Sequence, residues 1–495
     1  MSRIPTPRST PHTFVGYPHI PPVERRDHGL VAKVEPGTLP RLLYMVHSLP
    51  PEEFTGSPLS TFGYAHALAD RGWSVTVVYS SHEARSWVLT PERENGEPFD
   101  RVRVPASVTH RSWPVDAASA SGPERRRSDL AFSDLLDQVS PDLVHVVNNV
   151  HLPLDWPEVA AARGIPIIRS VTCAEDLCGR IAPVSPRSGS DGYCIPPLTP
   201  KHCARCIASA SDSATWAGVP DSLARKRARS VVQFGQVFTR IVFATPGFRR
   251  YFEQTLPLDP LRVRVIEMGV DHAPWVGRPD LGESPHLHRA AKPGRPTVFA
   301  WAGTLDPVKG LDDVAHAFTS PELLGRKDYR LVLMGGGNVA LTEPMLTANP
   351  RITARGPYRS QDLPAWLDQA DVGLSTSLFE TFHRVTREYL LAGLPVIGSR
   401  AFGIPDIIRP GANGLLYDHA DPDSLTRAVV ALLDDPQLLA ALTDGARRTT
   451  VRSVEEEAGE LAALYVEVLG QRDRTANDRP SVPGAGAALP TRPQV

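Results

Sequence analysis

The sequence predicts an α/β protein of two or three domains. Three observations predict it. Short apolar strands alternate with amphipathic helices along most of the chain. At 495 residues the chain exceeds what a single hydrophobic core holds. A stretch rich in Gly, Pro and His, residues 275–296, separates two such alternating runs and is expected to be a linker.

Composition narrows the function. Net charge is −2 from 53 basic and 55 acidic residues, so no global field draws the chain to nucleic acid or an anionic membrane. No apolar run approaches the ~18 residues of a membrane span. Residues 1–14 hold no apolar h-region, so no signal peptide is expected. Five cysteines, an odd number, argue against a disulfide framework and suit a reducing cytoplasm.

Residues 1–39 are rich in Pro, His and Arg without a period and read as a disordered or draped arm. The first domain, 40–274, opens with a strand over 41–47, a loop over 48–57 and a helix over 58–70. Ser57 suits the N-cap, Pro58 the first helical position, and Leu59, Phe62, Ala65 and Leu68 the apolar face. Gly72 ends that helix, and a strand over 74–79 completes a βαβ unit. Residues 116–127 read as an exposed loop. A helix carrying Leu130, Phe132, Leu135 and Leu136 follows, then strands over 143–147 and 167–171. His145 and His151 lie near a strand end, where a lone histidine is more often structural. The basic run Arg225-Lys226-Arg227-Ala228-Arg229 opens an amphipathic helix and is expected to be a solvated face.

All five cysteines fall within 173–206, spaced Cys173-x4-Cys178-x15-Cys194-x8-Cys203-x2-Cys206. Four thiolates, Cys178, Cys194, Cys203 and Cys206, suit a tetrahedral structural zinc that would hold a Pro- and Gly-rich insert together. A set of reduced thiols and a redox pair at Cys203 and Cys206 are the alternatives.

The second domain, 297–453, starts with a strand over 298–301. Gly303, Thr304 and Lys309 follow in the turn before the next helix. A strand, a Gly-containing turn and a lysine at a helix start suit a pyrophosphate. A helix over 454–470 and a Pro-, Gly- and Ala-rich tail over 471–495 close the chain.

Residues 375–400 organise the second domain. Glu380 and Glu388 stand eight positions apart across a loop-to-helix junction, between two apolar strands. Free backbone N–H groups and the helix dipole near Thr381 and His383 make an anion site. On a continuous helix, eight residues rise about 12 Å and turn roughly 80° past whole turns. The two acids therefore suit different parts of one elongated ligand better than a glycosidase pair, whose carboxyls lie about 5–10 Å apart.

Glu380-x7-Glu388, followed by Leu391-Ala392-Gly393-Leu394-Pro395-Val396-Ile397, resembles the signature of retaining glycosyltransferases of family 4. The resemblance spans roughly residues 41–470 and implies the GT-B fold, two Rossmann-like domains with parallel sheets facing a central cleft. It implies an acceptor-side first domain and a last helix, 454–470, that crosses back to it. Gly56 and Ser57 stand at the family's N-terminal Gly-Gly, with Ser57 in place of the second glycine. Gly303, Thr304 and Lys309 stand at its Gly-Arg-Leu-x3-Lys-Gly element, with Thr304 in place of arginine; Arg384 is the candidate replacement cation. Arg355 opens the loop at the family's base-binding position.

The implied activity is transfer of a sugar from a nucleotide-diphospho-sugar to an unidentified acceptor, with retention of configuration. The resemblance gives Lys309 and the helix start at His383, Arg384 and Val385 the diphosphate, Glu380 the sugar and Glu388 the ribose. No metal is required for such catalysis. A nucleotide-sugar epimerase or hydrolase of the same fold, and a non-catalytic binding protein, are the rival readings.

Overall fold

The computed structural model describes residues 40–53, 56–94, 96–105, 123–148, 151–178, 219–275 and 294–477, together with Cys194, Cys203 and Cys206. The expected arm over 1–39, the loop over 116–122, most of the cysteine insert, linker residues 276–293 and the tail past 477 lie outside the described residues.

The first domain runs β1 (Arg41–Val46), α1 (Gly56–Ala69), β2 (Ser74–Ser81), β3 (Asp100–Pro105), α2 (Pro123–Val139), β4 (Leu143–Val146), α3 (Trp156–Ala162), β5 (Ile167–Val171), α4 (Val219–Val232), β6 (Arg240–Phe243), α5 (Pro246–Glu253) and β7 (Val263–Val265). Its seven strands lie in the order β3-β2-β1-β4-β5-β6-β7, each neighbouring pair parallel. From Leu42 to Val46, β1 is buried at every position, the pattern of a sheet covered on both faces.

The second domain runs β8 (Thr297–Ala302), α6 (Leu311–Phe318), β9 (Tyr329–Met334), α7 (Glu343–Ala348), β10 (Ile352–Gly356), α8 (Leu363–Leu367), β11 (Val372–Ser375), α9 (Arg384–Leu391), β12 (Val396–Ser399), β13 (Gly414–Tyr417), α10 (Ser424–Asp434) and α11 (Pro436–Arg447). The strand order is β10-β9-β8-β11-β12-β13, again parallel. The molecule is thus the two-sheet α/β architecture that the sequence predicts.

Several elements depart from expectation. Helix α1 starts at Gly56, so Ser57 lies inside the first turn, where its carbonyl accepts the Thr61 hydroxyl at 2.8 Å. Helix α2 begins at Pro123, within the stretch read as loop. Strand β3 gave no apolar signal because Arg101 points inward, 2% exposed, and is held by Glu97 and by the carbonyl of Pro50 at 2.7 Å. No helix among the described residues is long and apolar enough to cross a membrane.

The last helix, α12 (Val454–Asn477), runs past the expected end at 470 and packs on α1 of the first domain. Apolar burial through Leu461, Leu464 and Val468 drives the docking, and a buried polar chain sets its position. The Tyr465 hydroxyl lies 2.9 Å from that of Tyr44 and 2.6 Å from His145 Nδ1, and His145 Nε2 lies 2.8 Å from Ser170 Oγ. Burial pushes His145 down to about 3, so it stays neutral in this core.

Glu457 of α12 is 4% exposed; it accepts the Tyr64 hydroxyl at 2.7 Å and the Gly269 amide at 2.6 Å. Burial, only partly offset by those bonds, pushes its carboxyl up from the ordinary 4.5 to about 8. The folded chain therefore holds a proton that the unfolded chain releases. The resulting stabilisation is fully present below 4.5 and is lost as pH climbs through about 8. Denaturant unfolding of the native protein should lose up to about 1.4 kcal/mol per pH unit from this one group between roughly pH 5 and 8. Glu457→Gln should lack that component, and parallel pH profiles for the two proteins would refute the assignment.

Candidate functional site

The carboxyl ends of β8 and β11 meet the first domain across the cleft. After β8 the chain makes a turn, Pro307–Lys309, capped by the Asp306 carboxylate, which accepts the Val308 amide at 2.8 Å. Gly310 then adopts φ 69°, and a Cβ there would stand 1.9 Å from the carbonyl oxygen of Thr376. Only glycine lets the two loops approach so closely. The approach is fixed by Thr376, whose hydroxyl donates to the Lys309 carbonyl at 2.8 Å and accepts the Trp301 indole N–H at 2.9 Å.

That contact delivers Lys309 Nζ onto Glu380 Oε1 in a direct ion pair. Ser377 Oγ donates to the same oxygen at 2.9 Å, and His383 Nε2 lies 3.8 Å away. Burial alone would raise the Glu380 carboxyl, but Lys309, His383 and Ser377 outweigh it and hold the group below its ordinary value. His383 caps α9 from a left-handed conformation, φ 57°, with its Nδ1 accepting the Thr386 amide at 3.2 Å. Its proton therefore sits on Nε2, facing Glu380. Burial pushes the ring down to about 4, so it is a neutral donor. The first-turn amides of Arg384 and Val385 precede any intrahelical acceptor.

Glu388 lies one turn further along α9, where Arg384 Nε contacts its Oε1 at 3.0 Å. Here burial dominates, and the carboxyl is raised despite Arg384. The two acids of the pair thus titrate in opposite directions from the same starting point. Tyr358, whose phenol is raised by burial and by Glu388, stands beside them. Arg355 places its guanidinium 4.4 Å from the Trp366 ring centroid.

The structure brings Lys309, Glu380 and His383 together and sets Glu388 with Arg384 beside them. It places the remaining expected residues less centrally. Gly56 is exposed at the start of α1. Thr304 is exposed in the turn after Gly303. Arg384 is paired with Glu388, and Lys309 with Glu380. None of the five cysteines is in a disulfide. Among the described residues no group of three or more His, Cys, Asp or Glu is placed to hold a metal. Of the expected set, Cys203 accepts a hydrogen bond from Arg227 at 3.1 Å, and the Cys194 carbonyl takes the Tyr251 hydroxyl at 2.8 Å.

Sequence reading missed the residues that seat the Glu380 loop against the first domain. Thr245 Oγ1 donates to the Thr381 carbonyl at 3.1 Å, and Thr381 Oγ1 donates to the Thr172 carbonyl at 3.0 Å. Arg387, 1% exposed, pairs with Glu267 of the first domain at 3.0 Å and donates to the Gly403 carbonyl at 3.2 Å. Phe379 and Phe402 insert into the first domain's core beside Phe248 and Tyr251, with ring centroids 5.3–6.5 Å apart. These are pairs between distant segments, and nothing in the local pattern marks them.

Two family models match the chain in tandem. A glycosyl transferase 4-like domain matches residues 55–269, and a glycosyl transferases group 1 domain matches residues 296–435. A D-inositol 3-phosphate glycosyltransferase of Salinispora arenicola is 31% identical over 232 residues, 42% of this chain and 51% of the relative. A GDP-mannose-dependent alpha-mannosyltransferase of Corynebacterium glutamicum is 30% identical over 187 residues, 37% and 42%. The chain spans about half the length of the curated relatives it matches. Among solved structures, sucrose-phosphate synthase of Thermosynechococcus elongatus aligns at TM-score 0.61 and 16% identity, over 87% of this chain and 99% of that one. Anabaena HepE in complex with UDP aligns at TM-score 0.52 and 15% identity, over 89% and 100%. Both likenesses establish the shared GT-B fold.

The aromatic cluster predicts how the domains are held. Phe402→Ala should cost about 3–5 kcal/mol, as a large buried ring does. It should also widen the cleft, read as a larger radius of gyration in small-angle scattering. An unchanged scattering profile in a folded variant would show that the rings do not clamp the domains.

Proposed function

We propose that this chain, which belongs to the glycosyl transferase group 1 family and carries its two domains in tandem, moves a hexose from a nucleotide-diphospho-sugar to an acceptor hydroxyl with retention of anomeric configuration. The contact between Lys309 and Glu380 carries the reading. A sugar whose hydroxyls donate to Glu380 and a diphosphate drawn to Lys309 would share the glycosidic oxygen between them. The names of the relatives, sugar transferases, and the UDP held by HepE support the same donor class.

The donor bond from the anomeric carbon to the diphosphate oxygen breaks, and its electron pair leaves with the diphosphate. Lys309, the neutral Nε2–H of His383 and the amides of Arg384 and Val385 stabilise that charge. The acceptor oxygen bonds the same carbon on the same face, and its proton passes to the departing phosphate oxygen. No step needs a metal. Glu388 grips the ribose, with Tyr358 and Arg355 towards the base. A cytoplasmic setting suits five thiols of which none is in a disulfide.

Lys309→Ala should lower kcat by ~100-fold or more, as loss of a preorganised charge partner does. Glu388→Ala should chiefly raise the donor KM, because ribose is held alike in ground and transition states. Since the Glu388 carboxyl is raised, it takes up a proton at higher pH than an ordinary glutamate, and donor KM should climb as pH falls through that range. Glu388→Gln should flatten the climb. NMR of the product from an α-linked donor reads the stereochemistry. A β-linked product, an epimerised donor or hydrolysis without transfer would each reject the proposal.

A further inference from the structure

The loop that carries Glu380 leaves its sheet after Ser375, the last residue of β11, and stays buried: Thr376 and Ser377 are each 1% exposed. A buried carbonyl without a donor is costly, and these two lie beyond the strand ladder. Side chains from the ends of neighbouring strands meet them. Ser399, last in β12, donates its hydroxyl to the Ser377 carbonyl at 2.7 Å, and His419 Nε2 stands 3.1 Å from the same oxygen. Tyr417, last in β13, brings its hydroxyl to 3.2 Å from the Thr376 carbonyl.

One carboxylate connects these contacts. Asp313, in the first turn of α6, accepts the Tyr417 hydroxyl at 2.9 Å and pairs with His419 Nδ1. The His419 ring therefore lies between two acceptors, the Asp313 carboxylate and the Ser377 carbonyl. It bonds both only with a proton on each nitrogen. Packing alone does not account for the arrangement. The ring stands edge-on to Tyr417, centroids 5.1 Å apart, a contact that any aromatic ring keeps.

Chain connectivity makes the pair a spacer. Asp313 lies four residues after Lys309, on the helix that starts directly after Gly310. Ser377 lies three residues before Glu380 and donates its own hydroxyl to that carboxylate at 2.9 Å. The two segments already touch through Thr376 Oγ1 on the Lys309 carbonyl and the Leu378 amide on the Val308 carbonyl, each at 2.8 Å. A second link, from Asp313 through His419 to Ser377, joins the same two segments. The Lys309 and Glu380 charges are thus set against each other by two independent ties.

We propose that Asp313 and His419 are positioning residues for sugar transfer, fixing the Ser377 backbone and through it the Glu380 carboxylate against Lys309. Their part in transfer rests on the roles proposed for Glu380 and Lys309; the linkage itself does not.

Two substitutions separate hydrogen-bond donors from volume. His419→Phe keeps the ring and its contact with Tyr417 but removes both donors, whereas His419→Gln keeps two N–H donors on one amide nitrogen. Turnover is followed on the full chain with UDP-glucose and GDP-mannose as donors and methyl α-D-mannopyranoside and myo-inositol as acceptors. His419→Phe should lower kcat about 10-fold, the loss of a charge-assisted hydrogen bond, with donor KM within about 2-fold of native. Amide exchange over residues 376–383, read by mass spectrometry, should rise about 10-fold in the same variant. His419→Gln should stay near native in both measurements. Asp313→Asn combined with His419→Phe should be no worse than His419→Phe alone, because the two act as one unit. Native behaviour of His419→Phe, a loss confined to donor KM, or an equal fall in His419→Gln would overturn the proposal. Should His419→Phe fail to fold, Asp313→Asn takes its place: a several-fold fall in kcat at constant donor KM supports the role, and unchanged kcat overturns it. Absence of turnover of either donor by the native chain counts against the transferase reading alone. The exchange contrast between the Phe and Gln substitutions then decides the linkage by itself.

Discussion

A carboxylate with little exposure to water stays ionised only if cations and donors surround it, and Glu380 is such a group. Its 14% exposed side chain is compensated by Lys309 from the loop after β8, Ser377 from the loop after β11 and His383 from the cap of α9. Three separate elements must therefore converge on one oxygen. The rest of the second domain's local structure serves that convergence. Gly310 lets the first two loops touch, Thr376 locks them, and the His383 ring caps the helix while turning its proton towards the acid.

The convergence is not internal to one domain. Thr381 is bonded to the carboxyl ends of β5 and β6, Arg387 to Glu267 beyond β7, and Phe379 lies in the first domain's core. The loop that carries Glu380 is thus seated by the first domain. Gly403, at φ 74°, completes the seat, since a Cβ there would stand 2.7 Å from the Phe382 amide. Helix α12, which returns to the first domain through Tyr465 and Glu457, ties the two bodies a second time. Domain arrangement and site geometry are therefore one property of this molecule.

Departures from the family pattern acquire a physical meaning in this setting. The His383 side chain caps α9 through Nδ1 and, as a neutral ring, turns its Nε2–H towards Glu380. Thr304 stands where an arginine is usual and lies exposed, while Arg384 is spent on Glu388.

By itself the sequence determined the fold class, the alternation that builds two parallel sheets and the positions of Lys309, Glu380 and Glu388 along them. Strands β1, β8, β11 and β12 are runs of apolar residues, Lys309 and Glu380 lie in the loops after strands, and Glu388 lies within α9, so their places are written in local pattern. Strand β3 escaped because its buried Arg101 breaks that pattern, and its partner Glu97 is not marked by any periodicity. Tertiary structure decided everything that depends on two distant segments meeting. The keys Thr172–Thr381–Thr245, the aromatic clamp, the engagement of Arg384 and the opposite drift of the two glutamates all follow from burial and charge placed by contacts across the cleft. A residue's sequence neighbours set its backbone, but its desolvation and its charge partners come from chains of side chains that only the folded cleft assembles.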